Sequence, residues 1–91
     1  MTYRIVLHRK AVNEIKKLPD ETRRKVKDTV NSLAEEPVPT TAVRLRGRKN
    51  AYRIRFGRYR LLYEVHATEI VVYVIGVGHR GEVYRKLLRR R

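Results

Sequence analysis

The 91-residue sequence contains no cysteine and no tryptophan, and it has only one phenylalanine. Without cysteine, a disulfide framework, a zinc finger and any other thiolate metal site are excluded, and the composition suits a reducing compartment. The sequence also lacks an apolar run near the roughly 18 residues of a membrane span, and its N-terminus lacks the apolar segment of a signal peptide. These absences predict a cytoplasmic protein that does not contact a membrane.

Acidic residues are also scarce, because 9 aspartates and glutamates stand against 23 lysines and arginines, which leaves a formal net charge of +14. A charge of this size attracts polyanions, so nucleic acid is the first partner to expect. An acidic protein that competes for the same surface is the second. Adaptation to high temperature does not account for the charge, because glutamate would then be abundant as well.

The length of the chain limits it to a single domain, residues 1–91, with one modest hydrophobic core. Such a core leaves no room for an enclosed cofactor pocket with walls of its own. We therefore expect any chemistry to take place on an open surface of the protein.

The N-terminal half predicts a short strand over residues 3–7 followed by two helices. Apolar residues recur at helical spacing in two runs, Ala11, Ile15 and Leu18 and then Val26, Val30 and Leu33. Pro19 separates the runs because proline ends a helix, and Asp20 suits the start of the second helix because a carboxylate favours a helix N-terminus. The two runs therefore predict a helical hairpin.

From Val43 onward the apolar period changes from about 3.6 to about 2 residues, which is typical of β-strands. Residues 51–56, 58–65 and 70–77 predict three strands with connections short enough to force antiparallel pairing. The last strand is apolar on both faces, so we expect it to be central, with the N-terminal strand beside it. Residues 82–88 predict a final helix. The predicted fold is α+β: an N-terminal strand, a two-helix hairpin, a three-strand antiparallel meander in one twisted sheet and a short C-terminal helix.

The first hairpin of this meander carries a row of arginines. A two-residue turn beginning at Gly57 sets Arg55 directly opposite Arg60, with Arg53 next along the same face. The same register pairs, on the other face, Phe56 with Tyr59, Ile54 with Leu61 and Tyr52 with Tyr63. The nearest carboxylate on the arginine face, that of Glu64, cannot neutralise three guanidiniums. Because guanidiniums stay charged and match phosphate oxygens, this face predicts a site for a phosphodiester.

Five segments together resemble the RelE/ParE toxin superfamily, and the likeness covers nearly the whole chain. They are Leu45-Arg46-Gly47, Tyr52-Arg53-Ile54-Arg55, Tyr59-Arg60-Leu61-Leu62-Tyr63, Val77-Gly78-His79-Arg80 and Glu82-Val83-Tyr84. The resemblance implies a twisted antiparallel sheet packed on a helical hairpin, with a mobile C-terminal helix. It also implies a RelE-type mRNA interferase, an endoribonuclease that cleaves mRNA in the A site of the 30S ribosomal subunit. In this family the 2′-hydroxyl of the RNA is the nucleophile, so neither a metal nor a cofactor is required.

The resemblance assigns catalytic roles to three residues. Arg60 resembles the arginine that stabilises the pentacovalent phosphate, and Arg80 resembles the one placed near the leaving 5′-oxygen. Tyr84 resembles the tyrosine that stacks on the nucleotide or helps to deprotonate it. A structural alternative for Tyr84 is that, with Val83, it forms an apolar packing face of the last helix.

Two catalytic positions depart from the family pattern, because Arg53 and Arg55 stand where better-known relatives carry lysines. A crowded lysine can lose its proton, whereas an arginine cannot. The general base therefore stays open between Tyr84, whose phenol is expected near several guanidiniums, and His79, because histidine is the side-chain type whose ordinary pKa lies near neutral pH.

Other basic residues are predicted to hold the RNA around this site. They are Arg46, Arg48, Lys49, Arg58, His79 and Arg85. The resemblance also implies a cognate RelB-like antitoxin whose acidic segment covers the basic surface, with operator DNA bound only by the toxin-antitoxin complex. The expected partners are therefore mRNA, the ribosome and an antitoxin.

Two other functions stay open. A ParE-like toxin shares the fold and poisons DNA gyrase through protein contacts, and it would not need the combination of Arg60, Arg80 and Tyr84. A non-catalytic RNA-binding protein would have the same basic face, but few aromatic rings remain here to stack on bases. Strand scission distinguishes the ribonuclease from both.

Overall fold

The computed structural model describes residues 2–79 and 81–90, apart from the side chains of residues 86–88. Over this part of the chain it has one five-stranded sheet and three helices. In chain order the elements are β1 (Arg4–Leu7), α1 (Arg9–Lys16), α2 (Asp20–Ser32), β2 (Val43–Arg44), β3 (Ala51–Phe56), β4 (Tyr59–His66), β5 (Val71–His79) and α3 (Glu82–Arg89). None of these three helices combines the length and the apolar character needed to cross a bilayer. The predicted α+β class and order of elements are confirmed.

The strands lie in the order β1-β5-β4-β3-β2. Strands β3, β4 and β5 form the predicted antiparallel meander, and β5 lies inside the sheet between β4 and β1, as predicted. However, β1 pairs with β5 in parallel, from Arg4 opposite Val71 to Leu7 opposite Val74. The purely antiparallel sheet implied by the resemblance is therefore wrong at this pairing. Parallel neighbours need a long crossover, which the helical hairpin and the other strands supply.

Both predicted apolar helix faces are buried against one side of the sheet, called here the hairpin side. The helix residues are Ala11, Ile15, Leu18, Val26, Val30 and Leu33, each at most 7% exposed. They pack against Ile54, Leu61, Tyr63, Val72, Val74 and Val77 of the sheet. Pro19 occupies the N-cap position of α2, so the predicted break between the two helices is confirmed.

The opposite side of the sheet, called here the α3 side, carries a smaller apolar cluster. Its fully buried residues are Leu62, Ile75 and Val83, and Leu45, Tyr73 and Tyr84 pack against them. Helix α1 contacts one side of β5 and α3 contacts the other, which confirms that β5 is covered on both sides. Packing is therefore part of the role of Val83 and Tyr84.

The β3–β4 hairpin has the predicted register, with Phe56 opposite Tyr59 and Arg55 opposite Arg60. The φ angle of Gly57 is +61°, and that of Arg58 is not positive. This pattern is that of a type II′ turn, whose twist matches that of the flanking strands. The turn therefore fixes the two arginines opposite each other.

Candidate active site

The row of residues nearest the β3–β4 turn places two arginines at opposed positions of neighbouring strands. Arg55 lies directly opposite Arg60, and Arg60 lies opposite Gly78 of β5. Arg55 is exposed, whereas Arg60 is half-buried. Nη1 of Arg60 donates hydrogen bonds to the backbone oxygens of Gly57 and Tyr59, both at 3.3 Å. The site therefore opens on the α3 side of the sheet, next to the turn.

These arginines have no carboxylate partner within the described part of the chain. The ion pairs found there engage other basic residues, and none involves Arg53, Arg55 or Arg60. Two like charges directly opposite each other destabilise a sheet. The arrangement therefore leaves positive charge available to an anion, which favours the functional interpretation of the row over a structural one.

The next row of residues brings α3 into the site. It runs from Arg53 through Leu62 to Gly76, which is buried. Val83 of α3 belongs to the same buried cluster as Leu62. The next residue, Tyr84, accepts a hydrogen bond on its phenol oxygen from Nη1 of Arg53 at 2.7 Å. Two of the predicted catalytic residues therefore contact each other across 31 positions of sequence.

The loop of residues 45–50 is fixed to the sheet by an ion pair with a buried carboxylate. Arg48 donates to Oε2 of Glu64 at 2.9 Å, and Nε2 of His66 lies 2.9 Å from Oε1. Glu64 is 3% exposed, and these contacts offset part of the cost of removing its carboxylate from water. Arg48, which the sequence predicted to bind RNA, therefore anchors the loop.

The other predicted RNA-binding residues of this region lie at the rim of the site. Arg46 and Lys49 are exposed on the loop, Arg58 is exposed on the β3–β4 turn, and Arg85 is exposed on α3. Their exposed charges are available to a polyanion.

His79 lies on the other side of the sheet from the arginine row. Its ring centroid is 4.8 Å from that of Tyr59, which packs against the hairpin-side core. Arg60 follows Tyr59 in β4, so its side chain points to the opposite side of the sheet, the α3 side. The two candidate bases therefore differ, because Tyr84 contacts an arginine of the site and His79 contacts a tyrosine outside it. Arg80, predicted to lie near the leaving oxygen, is outside the described residues.

Sequence reasoning did not indicate two charged residues that reach α3. Glu14 of α1 forms an ion pair with Arg90, which directly follows α3, at 2.7 Å. They are 76 positions apart and belong to separate elements, so no periodic pattern relates them. A long-range contact of this kind carries no signal in a single sequence.

Known proteins of similar sequence place this site in a family. The family model described as the ParE toxin of the type II toxin-antitoxin system parDE matches residues 5–84. The mRNA interferase toxin RelE of Escherichia coli strain K12 is 35% identical over 94 residues, which cover 99% of this chain and 98% of that protein. The mRNA interferase RelE of Shigella flexneri matches to the same extent.

Solved structures with the same fold agree with these matches. A mutant of the Escherichia coli toxin RelE in the free state has a TM-score of 0.84 at 32% identity, covering 99% of this chain and 98% of that one. The archaeal RelE-RelB complex of Pyrococcus horikoshii OT3 gives a TM-score of 0.77 at 31% identity, covering 89% and 98%. These matches define a class, the small toxins of type II toxin-antitoxin systems. Within that class, the chain belongs to the RelE/ParE superfamily.

Proposed function

We propose that this protein is the toxin of a type II toxin-antitoxin pair and an mRNA interferase that cuts mRNA in the ribosomal A site. The observation that carries the proposal is the pair of opposed arginines, Arg55 and Arg60, without a carboxylate partner among the described residues and next to the Arg53–Tyr84 hydrogen bond. The names of the relatives that match nearly the whole chain support the same activity.

The proposed reaction is an in-line displacement within the RNA. The 2′-hydroxyl oxygen attacks the adjacent phosphorus, the bond from phosphorus to the 5′-oxygen breaks, and a cyclic phosphate and a free 5′-hydroxyl result. Negative charge builds up on the phosphoryl oxygens during this step, and fixed guanidiniums stabilise it. Arg60 has this role, because hydrogen bonds to the turn hold its side chain and Arg55 adds a second positive charge beside it.

The proton on the 2′-hydroxyl has to be transferred to a base, and we assign this role to Tyr84. Its phenol oxygen is held by Arg53 at 2.7 Å on the arginine side of the sheet. His79 is a weaker candidate because its ring lies against Tyr59 on the opposite side. For Arg80, the role near the leaving 5′-oxygen rests on the family resemblance alone.

The exposed basic residues around the site are proposed to hold mRNA and ribosomal RNA. Arg46 and Lys49 are exposed on the loop before β3, Arg58 on the β3–β4 turn and Arg85 on α3. Contacts with phosphates are electrostatic and depend on salt, so these residues contribute to binding in proportion to their charge. Action on the ribosome places the protein in the cytoplasm.

The proposed regulatory partner is an antitoxin of the RelB type. The archaeal relative of known structure is a complex of RelE with RelB. With a net charge of +14, this chain suits a partner with an acidic segment that covers the arginine face. Operator DNA would be bound by the complex, since the acidic partner has to supply a further DNA-binding part.

Inhibition of DNA gyrase is the second candidate function, because the matching family model bears the ParE description. A gyrase inhibitor acts through protein contacts and does not need a guanidinium at the position of Arg60. The two functions therefore differ in what they require of one side chain.

The test is primer-extension mapping of an mRNA in a reconstituted translation system. Wild-type protein is expected to cut within codons only when ribosomes are present, and Arg60→Ala is expected to lose about 100-fold or more of the rate. Arg24→Ala, at an exposed position of α2, is the matched control and should cut as wild type does. Full cleavage by folded Arg60→Ala contradicts the proposed site, and intact mRNA together with inhibited gyrase supports the second function.

A further inference from the structure

Strand β5 is longer than its neighbour β1, and this difference leaves backbone groups that need partners. The last residue of β1 in the ladder, Leu7, lies opposite Val74, and the chain then turns into α1. Strand β5 continues to His79, so its later residues have no β1 partner. Buried backbone donors and acceptors have to be satisfied by other groups.

Two charged side chains take the place of the missing strand. Oε1 of Glu14 accepts a hydrogen bond from the backbone nitrogen of Val77 at 3.2 Å. Nη1 of Arg90 donates to the backbone oxygen of Ile75 at 3.1 Å. The edge of β5 beyond Val74 is therefore held by α1 and by the residue that follows α3.

The same two side chains bind each other in a fork-to-fork ion pair. Nη1 and Nη2 of Arg90 donate to Oε1 and Oε2 of Glu14 at 3.0 and 2.7 Å. The side chains are only 11% and 21% exposed, so the pair is well shielded from water. Bidentate pairs of this type are among the stronger side-chain interactions.

The pair joins the two sides of the sheet at the end of α3. Helix α1 packs on the hairpin side, whereas Val83 and Tyr84 of α3 pack on the α3 side. Helix α3 has 8 residues, and an isolated helix of less than about 12 residues is marginal in water. Among the side chains that the structure describes, Val83 and Tyr84 anchor its start and Arg90 holds the chain at its end.

We propose that Glu14 and Arg90 are positioning residues that clamp α3 onto β5 and so hold Tyr84 against Arg53 in the active site. Neither residue reaches the arginine row, but Val77, which Glu14 holds, directly precedes Gly78 opposite Arg60. Loss of the clamp frees the end of α3 and weakens the hydrogen bond between Tyr84 and Arg53. The catalytic part of this inference rests on the proposed ribonuclease activity, whereas its effect on α3 is measured without it.

The structural test is hydrogen exchange over α3 in Arg90→Ala and Glu14→Gln. Because removing one partner of a charged hydrogen bond is costly, exchange of the α3 amides is expected to rise about tenfold or more in Arg90→Ala. Arg90→Lys keeps the charge but not the fork, so an intermediate rise is expected. Arg89→Ala and Glu69→Gln, at exposed positions, remove the same charges and should leave exchange as in wild type. Unchanged exchange in both clamp variants overturns the proposal.

The functional test compares the maximal cleavage rate with the ribosome concentration that gives half of it. In Arg90→Ala the maximal rate is expected to fall about tenfold, with the half-maximal concentration within about twofold of wild type. In a Tyr84→Ala background, Arg90→Ala should have no additional effect on residual cleavage, because the clamp acts through Tyr84. A loosened α3 with wild-type cleavage, or a full additional loss in the Tyr84→Ala background, contradicts the positioning role. If the wild-type chain does not cleave mRNA, the proposed function is contradicted instead. The hydrogen-exchange data then test on their own whether Glu14 and Arg90 hold α3.

Discussion

The hairpin side of the sheet buries twelve of the described residues in one apolar cluster, whereas the α3 side buries three beside a row of arginines. Two tyrosines on neighbouring elements show the contrast. Tyr63 lies on the hairpin side, its hydroxyl donates to the backbone oxygen of Pro37 at 2.8 Å, and burial raises its pKa. Tyr84 lies on the α3 side and accepts from Arg53. The first hydroxyl completes a core, and the second belongs to a site for an anion.

Strand alternation makes this division possible, because each strand of the β3–β4 hairpin contributes to both sides. Ile54 and Leu61 point into the core, while their neighbours Arg55 and Arg60 point to the site. The free energy gained by burying the hairpin-side core offsets the repulsion between the arginines on the α3 side. A small domain can therefore hold an unfavourable cluster of charges on one side of its sheet.

The adjacent leucines Leu61 and Leu62 provide the largest test of this comparison. Both are fully buried, but Leu61 lies in the large hairpin-side cluster and Leu62 in the small α3-side one. Leu61→Ala is expected to lower the free energy of unfolding by about 3 to 5 kcal/mol. Leu62→Ala is expected to cost about 2 kcal/mol, since α3 can settle into the space. Urea unfolding measures both, and equal losses would mean that the two sides contribute alike.

The Arg48–Glu64 pair is the next test, because it adds a polar contribution to stability beside the small α3-side cluster. Arg48→Ala removes an ion-pair partner of a 3%-exposed carboxylate, so a loss of about 1 to 3 kcal/mol is expected. Arg46→Ala, on the same loop but exposed, should cost less than about 0.5 kcal/mol. If the two variants unfold at the same urea concentration, Arg48 is free for RNA and the loop is held by other contacts.

Local patterns in the sequence predicted most of the fold but not the partners of the charges. The helical runs ending at Pro19 and the turn at Gly57 are local signals, and period-two alternation fixed the opposition of Arg55 and Arg60. The parallel pairing of β1 was missed, since strand direction beside a distant neighbour leaves no periodic trace. The sequence predicted Glu64 as the nearest carboxylate to Arg53, Arg55 and Arg60. In the structure its carboxylate contacts Arg48 and His66.

The sequence predicted which residues belong to the site, but it did not predict that they lie on two different sides of the sheet. His79 lies two residues after Val77 in β5, and side chains two residues apart in a strand point to the same side of the sheet. Because Val77 is buried in the hairpin-side core, His79 lies on that side as well. The contact of Tyr84 with Arg53 depends on how α3 packs on the sheet, which no local pattern encodes. Long-range packing therefore decides which candidate bases reach the arginines.

A smaller effect is expected from relieving the charge repulsion on the α3 side. Arg55→Gln removes one of two opposed guanidiniums and should raise the free energy of unfolding by a few tenths, up to about 1 kcal/mol, at low salt. Arg4→Gln, at an exposed strand position opposite Val71, is the control and should show no such gain. The gain should shrink as salt screens the pair. A loss of stability in Arg55→Gln at every salt concentration would show that the row is not repulsive.

The smallest expected effect is a pH dependence at the start of α1. Nδ1 of His8 accepts a hydrogen bond from the backbone nitrogen of Lys10 at 3.0 Å, which requires the neutral ring. Partial burial, followed by the nearby charges of Arg90, Lys10 and Arg9, lowers the pKa of His8 below its ordinary value. Because the folded protein disfavours the proton, this contribution is fully present above the ordinary pKa of about 6.5 and is lost as pH falls through the lowered pKa.

The variant His8→Asn isolates this effect, since asparagine caps a helix without titrating. Between about pH 8 and about pH 5, wild type should lose up to about 1 kcal/mol of unfolding free energy relative to the variant, the usual size of an N-cap. His79→Asn, at an exposed ring, is the control and should follow wild type. If His8→Asn and wild type lose stability in parallel over this range, the cap does not titrate. The pH dependence of stability then has to come from other groups.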